Sequence, residues 1–243
     1  MIIINADDWG RTKVETDVAL ACCKAGSVTS VSAMVFMEDS ERAAALAREH
    51  GVDTGLHLNL SQHFTAATGC GRATESHNRI VRFLTWNKYA QILYHPLLRD
   101  DFHRDYQMQL AEFVRIYGKA PSHIDGHQHM HLCSNMVLDK VIPNGERLRR
   151  TFSFWPGERG LLNRTYRRLV DRILAARYRL TDYFFALSQN QRQEQLQRIS
   201  GLSSSAKVEL MTHPAKPDEY AVLMGDTFRA LLAGLDVRPY TAI

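Results

Sequence analysis

The chain opens with IIINADDWG at residues 2–10, a run of apolar β-forming residues that ends in two adjacent carboxylates. A run of this kind predicts a short buried strand over Ile2–Ala6 and a turn directly after it. Apolar residues at helical spacing then predict a helix over Thr12–Ala25, which a glycine ends. The start of the chain therefore predicts a strand, a turn that carries Asp7 and Asp8, and a helix.

The alternation of strand and helix continues along the chain. Further strands are predicted over Val28–Phe36, Val52–Leu60, Ser122–Asp125, Leu148–Phe154, Lys207–Thr212 and Val237–Ala242. Helices are predicted over Asp39–His50, Ile80–Tyr94, Asp101–Tyr117, Arg159–Arg179, Gln189–Ile199 and Thr227–Leu235, and a long loop over Ser61–Asn78. Because parallel neighbours need a crossover connection, this order favours an α/β fold. We expect a single-domain distorted (β/α) barrel over residues 1–243, TIM-barrel-like with about seven parallel strands and a helical insertion or lid at about 159–202.

Composition excludes several classes of protein. Of the 243 residues, 45% are hydrophobic and 23% charged, which are ordinary globular values and exclude a disordered or collagenous chain. No apolar run approaches the roughly 18 residues of a membrane span, and no basic segment precedes the first apolar run, so we expect a soluble cytoplasmic protein. The cysteines lack CxxC spacing and are expected to be free thiols; they are Cys22, Cys23, Cys70 and Cys133.

Positive charge is concentrated in one stretch. The net charge is +4, yet the stretch from Arg147 to Arg179 holds ten arginines against only Glu158 and Asp171. Such density is typical of a phosphate-binding patch, of a basic helix in peripheral contact with an anionic membrane, or of a solvated helix face. Nucleic-acid binding is not expected, because the basic residues come without a recognisable module. Separately from this stretch, a homodimer stays open as the assembly of the protein.

Titratable residues cluster where the predicted strands end, which is where a barrel places its ligand-facing residues. They are Asp7, Asp8, His57, His123, Asp125, His127, His129, His131 and His213. In residues 123–131 they occupy every second position, and side chains at that spacing share one side of an extended segment. If the strand ends near Gly126, His129 and His131 can turn away onto the loop.

Imidazole and carboxylate together suit zinc, or manganese and magnesium where water completes the shell. One carboxylate with two histidines leaves coordination positions open, as a hydrolytic metal requires, and a neighbouring carboxylate can then accept a proton. Asp7 and Asp8 supply such a pair only if the chain bends between them, since adjacent strand residues point to opposite faces. The alternatives are a helix cap for the aspartates, a core histidine at His57 and a polar surface loop for the cluster.

The motifs NADDWG, GLHLNL, SHIDGHQHMH and MTHP, in this order and at these spacings, resemble the YdjC-like carbohydrate deacetylase family. That family includes chitooligosaccharide deacetylases and hopanoid-associated members. The VTSVSAMV segment after the first helix also matches. The resemblance is strong from Met1 to about Phe154, returns at Lys207–Pro214, and is weak between them.

The resemblance implies a distorted barrel that uses one divalent metal ion, Zn²⁺ or Mg²⁺. The implied reaction removes an N-acetyl group from an amino sugar, releasing acetate and a free amine; the saccharide could be a mono- or oligosaccharide or linked to a lipid. By the same resemblance, Asp8, His57 and His127 would be the metal ligands. Asp7 would be the general base and His213 the acid that protonates the leaving amine.

Neighbouring residues receive supporting roles. We expect Asp125 to orient either His213 or a ligand histidine, because metal-bound histidines usually donate their second N–H to a carboxylate. His129 and His131 are expected to bind substrate hydroxyls or to lie behind the site. Trp9 is expected in the buried core, with stacking on a sugar face as the alternative. Arg149 or Arg150 is expected to reach a substrate hydroxyl or phosphate, with a supporting position behind the site as the alternative for Arg149.

Two other classes of function stay open at this point. A different Asp/His metal hydrolase, such as a phosphoesterase, would use a similar set of ligands, and the arginine-rich stretch is its best support. A non-catalytic sugar-binding barrel would keep the fold without needing Asp7.

Overall fold

Six parallel strands form one curled sheet in the computed structural model, which describes residues 1–66, 71–155, 157–158 and 160–243. In chain order the strands are β1 (Ile2–Trp9), β2 (Ser30–Ala33), β3 (Asp53–Leu58), β4 (Ile124–Gly126), β5 (Tyr183–Ala186) and β6 (Val208–Thr212). Across the sheet their order is β4-β3-β2-β1-β6-β5, and every neighbouring pair is parallel. All eight residues of β1 are buried because this strand lies in the middle of the sheet.

Helices connect the strands and cover the sheet. They are α1 (Lys13–Lys24), α2 (Ser40–His50), α3 (Gly71–Thr85), α4 (Arg99–Tyr117), α5 (Ser134–Leu138), α6 (Leu161–Ala175), α7 (Gln193–Ser203), α8 (Pro217–Met224) and α9 (Asp226–Leu232). The Thr12 hydroxyl caps α1 by accepting a hydrogen bond from the Glu15 N–H. A helix-cap role for Asp7 or Asp8 is therefore not needed. Among the described residues, no helix combines the length and apolar character that a membrane crossing requires.

The α/β class and the parallel sheet agree with the sequence prediction, but the seven-strand count and the complete TIM barrel do not. The predicted strand at Leu148–Phe154 is wrong, because this segment makes isolated bridges in place of a regular ladder. Its backbone bonds to β4 through Arg149 N and Ile124 O, and to β5 through Ser153 N and Phe184 O. It thus lies between the two edges of the sheet without becoming a strand.

Three further boundaries differ from prediction. The strand at Val237–Ala242 is wrong, because this segment has one bridge to Ile2 and then a 3₁₀ turn. The long loop at Ser61–Asn78 is interrupted by α3, which begins at Gly71. The range 159–202 contains not only helices but also β5, which sequence analysis missed because a short apolar run has no diagnostic period.

The cysteine prediction agrees with the structure where it can be compared. Cys22, Cys23 and Cys133 are free thiols. Burial raises the pKa of Cys22 to about 11 and that of Cys133 to about 12, so both stay protonated. Cys70 lies outside the described residues.

Candidate active site

The carboxyl ends of β1, β3, β4 and β6 meet at one edge of the sheet. The register places His57 of β3 directly opposite Asp125 of β4. It also places Ala6 of β1 opposite Thr212 of β6, so that Asp7 and His213 follow side by side. The sheet therefore brings together residues that are far apart in the sequence.

A bulge at the end of β1 lets both aspartates face this edge. The pairing of β1 with β2 shifts register between Ala6 and Trp9, and the backbone of Asp8 is left-handed, with φ +66°. Aspartate tolerates this conformation better than most residues. The bend that the sequence required between Asp7 and Asp8 is therefore present.

Asp8, His57 and His127 form a group that could hold a metal ion, with their ligand atoms all within 4.8 Å of one another. His127 Nδ1 lies 2.9 Å from Asp8 Oδ1, and His57 Nε2 lies 3.4 Å from the same oxygen. One carboxylate oxygen and two imidazole nitrogens suit a zinc-type divalent ion. These are the three residues that the sequence resemblance offered as ligands.

Asp125 lies behind His57. His57 Nδ1 donates to Asp125 Oδ1 at 2.8 Å, and the Ser32 hydroxyl donates to Asp125 Oδ2 at 2.7 Å. Burial alone would lower the pKa of His57, but the carboxylates of Asp125 and Asp7 outweigh it and raise the pKa to about 10. Of the two partners expected for Asp125, the structure shows His57 of the ligand group and not His213. The carboxylates around His57 favour a positive charge on or next to its ring.

Asp7 is held by Arg149 on both carboxylate oxygens. Arg149 Nη1 donates to Asp7 Oδ2 at 2.8 Å and Nη2 to Oδ1 at 2.7 Å, while the Asn5 amide donates to Oδ1 at 2.9 Å. Burial would raise the pKa of Asp7, but Arg149 and His57 together outweigh burial and lower the pKa below its ordinary value, so the carboxylate stays ionised. Asp7, His57 and Asp125 form a second group with metal-ligand spacing, but both of its carboxylates are already ion-paired with the Arg149 cation.

Arg149 is fully buried and joins three carboxylates. Besides Asp7, its Nη1 lies 2.7 Å from Asp125 Oδ2 and its Nε donates to Glu209 Oε1 at 2.7 Å. Arg149 therefore lies in the supporting position, and the alternative that it reaches a substrate hydroxyl or phosphate is wrong because its side chain is buried and bonded to these carboxylates. Glu209, itself bonded by the Tyr240 hydroxyl, completes this network, and burial raises its pKa to about 7.

The chain turns sharply after β4, in a 3₁₀ segment over His127–Leu132. A Cβ on Gly126 would lie 2.9 Å from the His131 backbone nitrogen, so only glycine allows this fold-back. His131 is consequently buried, with Nε2 bonded to the Arg149 carbonyl at 3.1 Å. The alternation of residues 123–131 on one face thus ends with β4, and His131 lies behind the site, away from any substrate.

His129 lies beside a cleft of about 250 Å³ next to the site. Its ring meets the edges of Phe152 and Phe184 at centroid distances of 4.5 and 5.7 Å. Burial lowers the pKa of His129 to about 3, so the imidazole is neutral. The cleft is also lined by Ile92, Gln128, Arg150, Tyr166 and Val170.

His213 follows β6 with its side chain about one quarter exposed. Its backbone N–H donates to Glu219 Oε2 at 2.7 Å, and its Nδ1 lies 3.9 Å from Glu219 Oε1. Nδ1 is buried and has no hydrogen-bond partner within the described ranges. The carboxylate beside His213 is therefore Glu219 of α8.

Trp9 is fully buried among core residues, so the expected core position agrees with the structure and the alternative of stacking on a sugar is wrong. Sequence analysis also missed Ser32, Glu209, Glu219 and Tyr240. Glu209 alone carried a signal, as a single carboxylate inside the apolar run of β6. The others gain their roles from contacts across the sheet.

The fold and this edge define an α/β protein with an Asp/His group that could hold a metal ion. The model of the family described as YdjC-like protein matches residues 1–234, so the chain belongs to that family, as its motifs predicted. It is similar to a carbohydrate deacetylase of Mus musculus, with 28% identity over 250 residues covering 89% of this chain and 78% of the relative.

Shorter and structural matches agree with the family. A chitooligosaccharide deacetylase of Serratia marcescens is 32% identical over 133 residues, 54% of this chain and 51% of the relative, so the match spans about half of that protein. A crystal structure from Enterococcus faecalis V583, of a protein with proposed cellobiose-phosphate cleavage activity, superposes with TM-score 0.71 at 20% identity, covering 99% of this chain and 97% of that one. The structural match shows a shared fold.

Proposed function

We propose that this chain is a metal-dependent hydrolase that removes the N-acetyl group from an amino sugar. The observation that carries the proposal is the convergence of Asp8, His57 and His127 beside the ionised Asp7. Membership of a family with relatives named carbohydrate deacetylases supports acetylated sugar as the substrate class. The products would be acetate and a free amine.

The residues present fit a divalent metal ion. Asp8, His57 and His127 would hold it, and their mixed oxygen and nitrogen donors suit zinc first, then manganese or magnesium. Such an ion, when bound, supplies Lewis-acid stabilisation of negative charge and makes water more acidic. Asp125 would fix the His57 ring so that Nε2 faces the ligand group, since it holds Nδ1.

Asp7 would act as the general base. Each carboxylate oxygen accepts more than one hydrogen bond, so the bonds from Arg149 and Asn5 leave capacity for the proton of an attacking water. Arg149 would keep this carboxylate ionised and fixed in one orientation. Asp7 would therefore already be ionised at neutral pH, as a general base must be.

His213 would act as the general acid. It follows the strand next to β1, and its Nδ1 lies 3.9 Å from Glu219 Oε1, so Glu219 would orient the imidazole. Protonation of the leaving nitrogen allows the amine to depart as the tetrahedral species collapses. We assign all of residues 1–243 to one catalytic domain, in which α6 forms one wall of the cleft beside His129.

The phosphoesterase alternative loses its main support. Several arginines of the rich stretch bond to protein groups, among them Arg149, Arg150 with Asp171, and Arg177 with Asn144. A non-catalytic sugar-binding barrel would not need an ionised carboxylate beside the ligand group, whereas a hydrolase does.

A release assay tests the function. Metal-loaded protein is incubated with a panel of N-acetylated mono- and disaccharides, and acetate is measured alongside phosphate from a phosphomonoester. We expect acetate and no phosphate, and Asp7→Asn to lower kcat about 10²–10⁴-fold while metal binding is retained. Phosphate release without acetate would reject the proposal, and full turnover by Asp7→Asn would reject the role of Asp7.

A further inference from the structure

Helix α6 carries an apolar stripe on its exposed side. Leu162, Tyr166, Leu169 and Ile173 are spaced by four, three and four residues and so share one face. They are 88%, 52%, 57% and 43% exposed, whereas Leu174, about a third of a turn around the helix from this face, is buried. A soluble helix normally turns such a stripe toward the core, so this face is available to a partner.

A row of arginines occupies the polar side of the same helix. Arg164, Arg168 and Arg172 are spaced by four residues and share one face, whose centre lies about a third of a turn around the helix from the centre of the stripe. Within the part of the chain that the structure describes, their guanidinium groups make no hydrogen bond or ion pair, in contrast to Arg149 and Arg150. Apolar and basic rows on the exposed side of one helix are the pattern of an interfacial helix.

Exposed apolar side chains continue across the neighbouring cleft. Tyr166 and Val170 of α6 line one wall of this cleft, and Ile92 lines it from the 3₁₀ turn over Ala90–Ile92. Ile92 is 53% exposed, and Tyr89 and Leu93 beside it are also exposed. The apolar surface is therefore broader than one helix.

We propose that this face of α6 docks on an anionic membrane surface, with the stripe in the acyl boundary and the arginines at lipid phosphates. The helix of 15 residues is about 22 Å long, too short to cross a bilayer but suited to lying in its plane. Charge argues against a second copy of this chain as occupant. A second copy would bring another row of arginines and no acidic row of α6 to pair with them, whereas an anionic surface supplies the counter-charge.

Vesicle sedimentation tests the proposal on the full chain. The probes are vesicles of phosphatidylcholine and vesicles in which phosphatidylglycerol replaces part of it, each over a salt series. We expect binding to the mixed vesicles that weakens as salt rises, and affinity for the neutral vesicles at least about tenfold lower. This expectation does not depend on the proposed deacetylase activity.

Two sets of variants test the apolar stripe and the arginine row separately. Leu162→Gln with Leu169→Gln, and Arg164→Gln with Arg168→Gln and Arg172→Gln, should each lower affinity for mixed vesicles at least about tenfold. Lysine at the same three arginine positions should retain binding. Val114→Gln is the matched control, because Val114 is exposed near the end of α4 that leads into β4, away from the carboxyl edge. Circular dichroism confirms that each variant is folded.

The opposite results overturn the proposal. Absence of binding to mixed vesicles, or equal binding by the folded glutamine variants, would reject a membrane contact through this face. Sedimentation equilibrium adds a third outcome. If the protein does not bind vesicles but forms a dimer, and Leu162→Gln with Leu169→Gln dissociates that dimer, the face joins two copies of this chain.

Discussion

Arg149 and the arginine row of α6 come from the same arginine-rich stretch, yet the fold uses them in opposite ways. Arg149 is fully buried among Asp7, Asp125 and Glu209, at contact distances of 2.7–2.8 Å. Arg168 and Arg172 are exposed on a helix that buries little of its own surface. Charge density along the sequence therefore does not define a patch; the partners that the fold provides decide what each arginine does.

The two environments differ in what a lost charge costs. A buried ion left without its partner has neither water nor counter-charge, and removal of one member is strongly destabilising. An exposed charge is solvated and contributes little to stability by itself. Substitutions in the two regions should therefore differ by several kcal/mol in their effect on the free energy of unfolding.

Substitution of Arg149 gives the largest expected effect. Arg149→Met keeps a long side chain but leaves three buried carboxylates without a cation, and we expect the free energy of unfolding at pH 7 to fall by about 3–5 kcal/mol. In the native chain the lowered pKa of Asp7 stabilises the fold above the unfolded value near 3.8, and this stabilisation is lost as pH falls through the folded pKa. In the variant, burial without the Arg149 cation raises the pKa of Asp7. Protonation at lower pH then removes the unpaired buried charge and part of the loss in stability.

Urea denaturation between pH 4 and 7 measures this difference. The difference in free energy of unfolding between the native chain and Arg149→Met should be largest at pH 7 and should decrease toward pH 4. Arg168→Met, on the exposed row, is the control and should stay close to the native chain. A gap that is constant with pH would contradict the assignment of Arg149 as the counter-charge of these carboxylates.

Asp125→Asn should have an intermediate effect. Asparagine keeps the size of Asp125 but cannot hold His57 with a full negative charge, and loss of such a supporting carboxylate typically lowers metal affinity about 10–100-fold. Calorimetric titration of the folded variant with Zn²⁺ measures it. Ser32→Ala removes only the hydroxyl behind Asp125 and should lower affinity less; unchanged affinity in Asp125→Asn would separate Asp125 from the ligand group.

The smallest effect is expected on α6. Leu162→Gln replaces a side chain that is 88% exposed, and we expect the free energy of unfolding to change by less than about 0.5 kcal/mol. Thermal unfolding of the two proteins in the absence of lipid measures it. A loss of more than 2 kcal/mol would mean that Leu162 is covered in solution, and the contrast with the buried network would then fail.

Sequence reasoning worked best where chemistry and local pattern coincide. Asp7, Asp8 and His57 were placed by the predicted strand ends and Asp125 and His127 by the alternation of residues 123–131, and the structure brings these five to one edge. It worked poorly for Leu148–Phe154, a β-rich run in which Arg149 turns inward to buried carboxylates and the backbone forms only isolated bridges. Trp9 shows the same limit, since an aromatic beside a strand end can face either the core or a ligand.

The sequence by itself determined the alternating strands and helices, the carboxylates and imidazoles at the strand ends, and the family, because these are written in local spacing. Only the tertiary structure decided that Arg149 clamps Asp7 across 142 positions and that Asp125 holds His57 across 68. It alone decided that the stripe of α6 stays exposed. Periodicity tells which residues share a face, but contacts between distant segments depend on how the whole sheet curls.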